Sequence, residues 1–374
     1  MKLLVWVPRS NHLKILGPVA AEAHRRGHDL LIVAPAGDVK DGDALGHARA
    51  ELGPLVPVTD RWKLADFRPQ WALAVGLRTA PTLRRLTRRQ RVRWAALDHC
   101  GDNLTFTLEG ASRDGWDLST TLSEDARRFA EGVTYGYFGH DFVPVGYPEL
   151  DQLHTVVGDR VACRAKWNLP QGQKILLFGP AARPIRLGRV RRWWFQQLRY
   201  RRVLRVLRRW AEMAGFQIIA KTRAKHRDPA YLRRYCDRVV GDVQYYPFTT
   251  LELLRAANLY VGFASAMAIE ASAVGLPQVH LHGWPPERGE WPAALPLKQR
   301  FFMDQGGLWN AAGSRQVACY GANWPMRIHE TLDETLAEFS RAGSGEMRAA
   351  CERWAGPLDD TASARLLDVL EARC

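Results

Sequence analysis

Glu270 stands in the stretch of this chain best suited to hold a ligand. The residues from Asn258 to Leu281 read as strand, loop of small residues, helix, Gly-x-Pro turn and strand. The apolar run Leu259–Phe263 suits a buried parallel strand. Ser265 and Ala266 are small enough for a ligand to approach the backbone, and the next helix aims its N-terminus there. A carboxylate in that helix's first turn can accept hydrogen bonds from a ribose diol. Gly275 suits the position just past the helix, and Pro277 stops the helix from resuming.

Basic groups follow two other strands. The strand Phe216–Lys221 runs into Lys221, Arg223, Lys225 and His226. At the carboxyl end of a strand, Lys221 and Arg223 would neutralise a departing diphosphate; an exposed basic turn is the alternative. The strand Lys174–Phe178 runs into Gly179-Pro180-Ala181-Ala182-Arg183. Here small residues admit phosphate to the backbone, and Arg183 offers it a fork of donors.

The N-terminus supplies a candidate base. The strand Lys2–Val7, the loop from Pro8 to Asn11, a helix opened by His12 and closed at Gly27, and the strand Leu30–Ala34 form one βαβ unit. Its loop is not Gly-x-Gly-x-x-Gly, which disfavours a dinucleotide oxidoreductase. A neutral His12 can take the proton of an attacking hydroxyl. Asp98 or His99 would orient or assist it, a buried structural role being the alternative.

The ordered run from Phe248 to Pro277 resembles the donor-binding motif of GT-B glycosyltransferases, including the peptidoglycan GlcNAc transferase and plant-type UDP-sugar transferases. The resemblance implies Glu270 on the nucleotide ribose, Ser265 and Ala266 near the phosphates and Phe248 at the base. It places the Gly179–Arg183 loop opposite the donor diphosphate. His12, ahead of Arg26-Gly27-His28, is similar to the loop histidine of those enzymes, with Ile15 where a proline is usual. The Lys221–His226 run is similar to a segment of the CDP-glycerol glycerophosphotransferases, with Arg227 in place of proline. Asp98-His99-Cys100-Gly101 resembles that group's His-Gly pair, interrupted by Cys100.

The implied fold is α/β with GT-B architecture, two Rossmann-like domains facing each other across a cleft. Residues 1–155 would form the acceptor domain and residues 156–345 the nucleotide-donor domain. Residues 346–374 would supply a closing helix that returns to the first domain, capped by Asp359 or Asp360. Gly146-Tyr147-Pro148-Glu149-Leu150-Asp151 resembles the segment that ends the first domain in such proteins. A length of 374 residues accommodates two cores.

Charge is the other informative feature. The formal net charge is +14, and eleven arginines with no acid lie between Arg183 and Arg209, interleaved with Trp193, Trp194, Phe195 and Tyr200. Val203, Val206, Leu207 and Trp210 form one helical face for packing on a sheet. The segment between Arg186 and Arg199 reads as an insertion suited to an anionic membrane surface. A phosphorylated substrate ranks second for this patch and nucleic acid third. No apolar run is long enough to span a membrane, and the six scattered cysteines read as reduced thiols. Together these features imply a cytoplasmic protein, with the basic patch as its contact to the inner membrane face.

The activity implied is transfer of a sugar from a nucleotide-activated donor, a UDP-sugar first, to a hydroxyl acceptor, lipid-linked in one version, in cell-envelope or surface-polysaccharide synthesis. No metal or other cofactor is expected, because no Asp-x-Asp motif of the kind that the other large glycosyltransferase fold uses to hold Mn²⁺ or Mg²⁺ is read here. The alternatives are a CDP-glycerol-type polyol-phosphate transferase, a sugar-nucleotide 2-epimerase, and a non-catalytic nucleotide- or polyanion-binding protein. The epimerase's expected paired glutamates are missing, since Ala271 follows Glu270.

Overall fold

The computed structural model describes residues 1–36, 43–60, 67–76, 91–99, 116–128, 142–154, 157–180, 190–222, 230–241, 248–263, 267–282, 313–319 and 323–374, without the side chains of 190–199, 282 and 318. The chain divides into two units. One is built from Met1–Val156 and Glu352–Cys374, the other from Val157–Leu295 and Phe302–Cys351.

The first unit holds seven strands: β1 (Lys2–Trp6), β2 (Asp29–Val33), β3 (Val58–Thr59), β4 (Trp71–Val75), β5 (Arg93–Leu97), β6 (Leu118–Thr121) and β7 (Phe142–Pro144). They pair in the order β3-β2-β1-β4-β5-β6-β7, every pair parallel. Parallel strands are covered on both faces, which explains why Leu3, Leu4, Val5, Ala72, Leu73 and Ala74 are all buried without alternation. The helix Leu13–Arg25 ends where Gly27 turns at φ +76°, with Gly27 N–H bonded to His24 O and His28 N–H to Ala23 O.

The C-terminal helix Ala362–Glu371 belongs to this unit and packs on the helix Leu13–Arg25. Arg26 pairs with Asp368 at 2.6 Å, and His28 Nε2 lies 2.7 Å from Glu371. Neither Asp359 nor Asp360 caps the helix. Asp359 accepts from Thr361 and Arg365 instead. The first helical N–H groups, of Ala362 and Ser363, donate to the two carboxylate oxygens of Asp151 at 2.9 and 2.7 Å. The two oxygens of Asp151 thus satisfy two of the unpaired donors that every helix start leaves. Burial pushes the Asp151 carboxyl up, while the hydrogen bonds from Ser363 and Ala362 pull the other way. Asp151→Ala should lower stability by about 2 kcal/mol, the sum of a lost cap and two unsatisfied donors. A urea midpoint unchanged from wild type would rule out that role.

The second unit holds β8 (Lys174–Gly179), β9 (Phe216–Lys221), β10 (Arg238–Val240), β11 (Leu259–Phe263), β12 (Gln278–His282) and β13 (Ser314–Ala318). They pair in the order β10-β9-β8-β11-β12-β13, again all parallel. Its core gathers Leu176, Phe178, Ile218, Leu259 and Val279 with Val203, Leu207 and Trp210 of the helix Val190–Ala214. Trp210 Nε1 donates to Asp333, so its polar edge is satisfied within the same unit.

That helix is one 25-residue element beginning at Val190. The part of the Arg186–Arg199 segment from Val190 onward is helical and continuous with the packed half, while residues 186–189 lie outside the described residues. No glycine or proline interrupts the run between Val190 and Ala214, and arginine, leucine and alanine favour the helix. Several of its arginines have local work. Arg208 bridges Glu212 and Asp237, Arg201 lies 5.0 Å from the Tyr231 ring centre, and Arg202 lies 5.4 Å from that of Trp324. Among the described residues, no helix is long and apolar enough to cross a membrane.

Candidate functional site

Strand order locates the candidate sites. In an open parallel sheet, ligands bind beyond the carboxyl ends of strands where the order reverses, because adjacent connections leave on opposite faces there. The reversal falls between β1 and β4 in the first unit and between β8 and β11 in the second.

In the second unit, Gly179 ends β8 and pairs directly with Gly262 of β11. The buried Tyr260 lies across both. A Cβ on Gly179 would come within 2.7 Å of the Tyr260 hydroxyl oxygen, and one on Gly262 within 2.2 Å. His280 of β12 pairs with Gly262, and its ring meets Tyr260 edge-on at 6.1 Å. His280 is buried, and desolvation pushes its imidazole down to about 3, so it is neutral at ordinary pH. Nothing in the local sequence pattern signalled this Tyr–His layer under the reversal point. The pairing of Gly179 with Gly262 is a long-range fact.

Beyond β11, the helix Met267–Ala273 carries Glu270 in its first turn, where the carboxylate complements the helix dipole. Glu270 is 1% exposed. Gly275 closes the helix at φ +69°, with Gly275 N–H on Ser272 O and Leu276 N–H on Ala271 O. That hydrogen-bond pair requires a left-handed residue, which glycine adopts without a Cβ clash. Lys221 ends β9, buried, with Nζ 3.2 Å from Thr222 O. Phe248 stands just before the helix Thr249–Ala256, in the connection from β10 to β11. Asn258 braces the start of this region, its Oδ1 accepting from Arg164 Nη2 and from the Ile175 N–H. Arg183, Arg223, Ser265 and Ala266 lie outside the described residues. Gly179, Lys221 and Glu270 thus follow three strands of one sheet on its carboxyl edge.

In the first unit, His12 ends a short 3-10 turn, Ser10–His12, after β1 and leads into the helix Leu13–Arg25. It is buried, as is Ser10, whose Oγ lies 2.9 Å from His47 Nδ1. Asp98 and His99 follow β5 on the same edge of the sheet. Asp98 is buried, and its N–H donates to Thr120 Oγ1. Sequence reasoning did not anticipate Lys14, Tyr147 and Glu149, which gather beside His99. Lys14 Nζ is 2.9 Å from Glu149 Oε1, and Tyr147 donates to Glu149 Oε2 at 2.7 Å. Among the described residues, no group of three or more His, Cys, Asp or Glu could hold a metal ion.

No protein-family model and no curated protein sequence matches the chain. Solved structures do. The UDP-GlcNAc 2-epimerase from Neisseria meningitidis, bound to UDP-GlcNAc, aligns over 100% of both chains at 14% identity and a TM-score of 0.64. The wall teichoic acid polymerase TagF aligns over 100% of this chain and 88% of its own, at 11% identity and a TM-score of 0.63. Sucrose-phosphate synthase from Thermosynechococcus elongatus aligns over 100% of this chain and 99% of its own, at 15% identity and a TM-score of 0.58. This chain has the GT-B fold. Its two parallel sheets are the two Rossmann-like domains of that fold, with His12, Asp98 and His99 beyond strand ends of one and Gly179, Lys221 and Glu270 at or beyond strand ends of the other. At these identities the likeness concerns the fold alone.

Proposed function

We propose that the protein is a metal-independent GT-B transferase that moves a sugar from a nucleotide-activated donor, a UDP-sugar first, to a hydroxyl acceptor. The observation that carries this reading is the carboxyl edge at β8 and β11, where paired glycines are followed by a helix with Glu270 in its first turn. In this reading Glu270 accepts hydrogen bonds from the ribose diol and Phe248 lies against the base. Gly179, Ser265 and Ala266 let the diphosphate approach the backbone.

The acceptor binds the first unit. Its oxygen forms the new bond to the sugar's anomeric carbon while the bond from that carbon to the diphosphate breaks. The electron pair leaves on the diphosphate, where Arg183, Lys221 and Arg223 offset the charge. The hydroxyl proton passes to His12, with Asp98 and His99 on the same edge of that sheet. Among the structural neighbours, one is bound to UDP-GlcNAc and another is a wall teichoic acid polymerase. The first favours a sugar-nucleotide ligand, and the second is consistent with a setting in envelope-polymer synthesis. The basic, aromatic start of the helix Val190–Ala214 suits a lipid-linked acceptor at an anionic surface.

Nucleotide release tests this directly. Purified protein with UDP-, GDP- and CDP-linked donors and hydroxyl acceptors should release a nucleoside diphosphate only when the acceptor is present. His12→Ala should lower that rate by about 10²- to 10⁴-fold while leaving donor binding intact. CMP release from CDP-glycerol would point to polyol-phosphate transfer, and isomerisation of the donor without acceptor to an epimerase. Binding without turnover would indicate a non-catalytic protein.

A further inference from the structure

The helix Val190–Ala214 is longer than the sheet it packs on. Its Trp210 ring lies 5.1 Å from that of Phe216, the first residue of β9. Its Tyr200 ring stacks at 5.6 Å on Phe263, the last residue of β11, and lies 6.0 Å from Phe178 near the end of β8. The helix therefore crosses the sheet between Tyr200 and Trp210, and the turns from Val190 to Arg199 stand beyond the carboxyl edge. At about 1.5 Å of rise per residue they reach about 15 Å past the strand ends.

The apolar pattern changes side at the same point. Val203, Leu204, Leu207 and Trp210 are buried in the core shared with the sheet. Followed back by helical spacing, that side passes Tyr200, then Gln196, then Arg192 and Trp193. The other side carries Arg201, Arg205 and Arg209, all exposed, and followed back it passes Leu198, Trp194 and Arg191. Among the described residues, neither Arg205 nor Arg209 is paired with a carboxylate. The helix Trp324–Ala342 runs alongside, with Arg202 5.4 Å from the Trp324 ring and Trp210 bonded to Asp333. At the end of that helix beside Arg202, Met326 is 64% exposed and Arg327 is exposed as well. Acids stay toward the opposite end of both helices, starting at Glu212 in one and Glu330 in the other.

We propose that this end of the second unit is a docking surface for an anionic phospholipid bilayer. The start of the helix Val190–Ala214 meets the lipid, and the stripe Arg201–Arg205–Arg209 continues the contact. Charge complementarity selects an anionic partner, since the surface is basic without interruption up to Arg209. Tryptophan, leucine and an exposed methionine at the same pole favour a bilayer over a nucleic acid, because the headgroup boundary takes up apolar and aromatic side chains together with cations. Because the overhang leaves the sheet at its carboxyl edge, the bilayer would lie on the side of this unit that carries Gly179, Lys221 and Glu270. The consequence for turnover, a hydroxyl acceptor held in that bilayer, rests on the proposed transferase reading; the docking itself does not.

Cosedimentation of the full chain with vesicles, in the absence of any donor, tests the docking alone. Wild type should bind vesicles of equimolar phosphatidylcholine and phosphatidylglycerol, release them in high salt, and leave pure phosphatidylcholine vesicles unbound. Arg205→Glu combined with Arg209→Glu should lower the partition coefficient about 10-fold or more, because each cation at an anionic surface contributes separately. Both positions are exposed, so the melting temperature should stay close to wild type. The same pair changed to lysine should keep the binding, since a bilayer reads charge and not the guanidinium fork. Trp194→Ala should weaken binding in high and low salt alike. No binding of wild type to anionic vesicles, or equal binding by the double glutamate variant, would overturn the proposal. So would a single-stranded oligonucleotide that strips the protein from the vesicles while Trp194→Ala changes nothing, which would assign the surface to nucleic acid. If no donor supports nucleotide release, the transferase reading fails and the vesicle result stands by itself.

Discussion

Glu270→Ala should weaken binding of the nucleotide donor by about 100-fold or more. The two hydroxyls of a ribose would each donate to the carboxylate, and hydrogen bonds to a charged group contribute about 1.5–3 kcal/mol apiece. Losing both costs at least about 3 kcal/mol, which converts to that factor. The setting favours a strong effect. Glu270 is buried at the start of a helix, where low dielectric and the helix dipole strengthen the interaction with a docked diol. Glu270→Gln keeps one acceptor and should fall between. Calorimetric titration with donor and with free nucleotide separates the outcomes. Equal affinity in wild type and Glu270→Ala, with the fold intact by circular dichroism, would reduce Glu270 to a structural carboxylate.

Acid should destabilise the second unit through His280. Its imidazole is held neutral down to about 3, against 6.5 in an unfolded chain, and desolvation is the cause. Below about pH 6.5 the unfolded chain therefore binds a proton that the native chain refuses. Stability is present above that value and is lost as pH falls toward 3. Each pH unit in this window removes about 1.4 kcal/mol, and the whole window about 5 kcal/mol, comparable to the total stability of many domains. His280→Leu removes the titration and should flatten the acid limb of the stability curve. Urea unfolding at a series of pH values would show this. A limb of the same slope in the variant would assign the acid sensitivity to other groups.

What was legible in the sequence was local. The strand Leu259–Phe263, the helix with Glu270 in its first turn, and the Gly275 stop all follow from signals within about twenty residues. The strand Phe216–Lys221 was equally plain, because an apolar run ends in a charged residue. The start of the helix Val190–Ala214 was less plain, because its arginines and tryptophans hide the apolar stripe, yet charge does not end a helix that lacks glycine and proline.

What was not legible was long-range. Asp151 caps a helix that begins 211 positions later, and no spacing rule links them. Tyr260 fits over Gly179 and Gly262 only once β8 and β11 are paired. Lys14, Tyr147 and Glu149 became neighbours of His99 only when the helix Leu13–Arg25 settled on the turn after β7. Sequence patterns record propensity and periodicity; these contacts depend on which surfaces meet.

The central claim is that this GT-B chain takes a nucleotide-activated sugar, and a thermal-shift panel tests it most directly. Wild-type protein would be melted with UDP-, GDP- and CDP-linked donors, each beside its free nucleotide. A ligand that binds only the native state at 100 times its Kd adds about 2.7 kcal/mol. The account predicts stabilisation by one nucleotide class, UDP-sugars first, that Glu270→Ala abolishes. A melting temperature that no donor or nucleotide moves would contradict it.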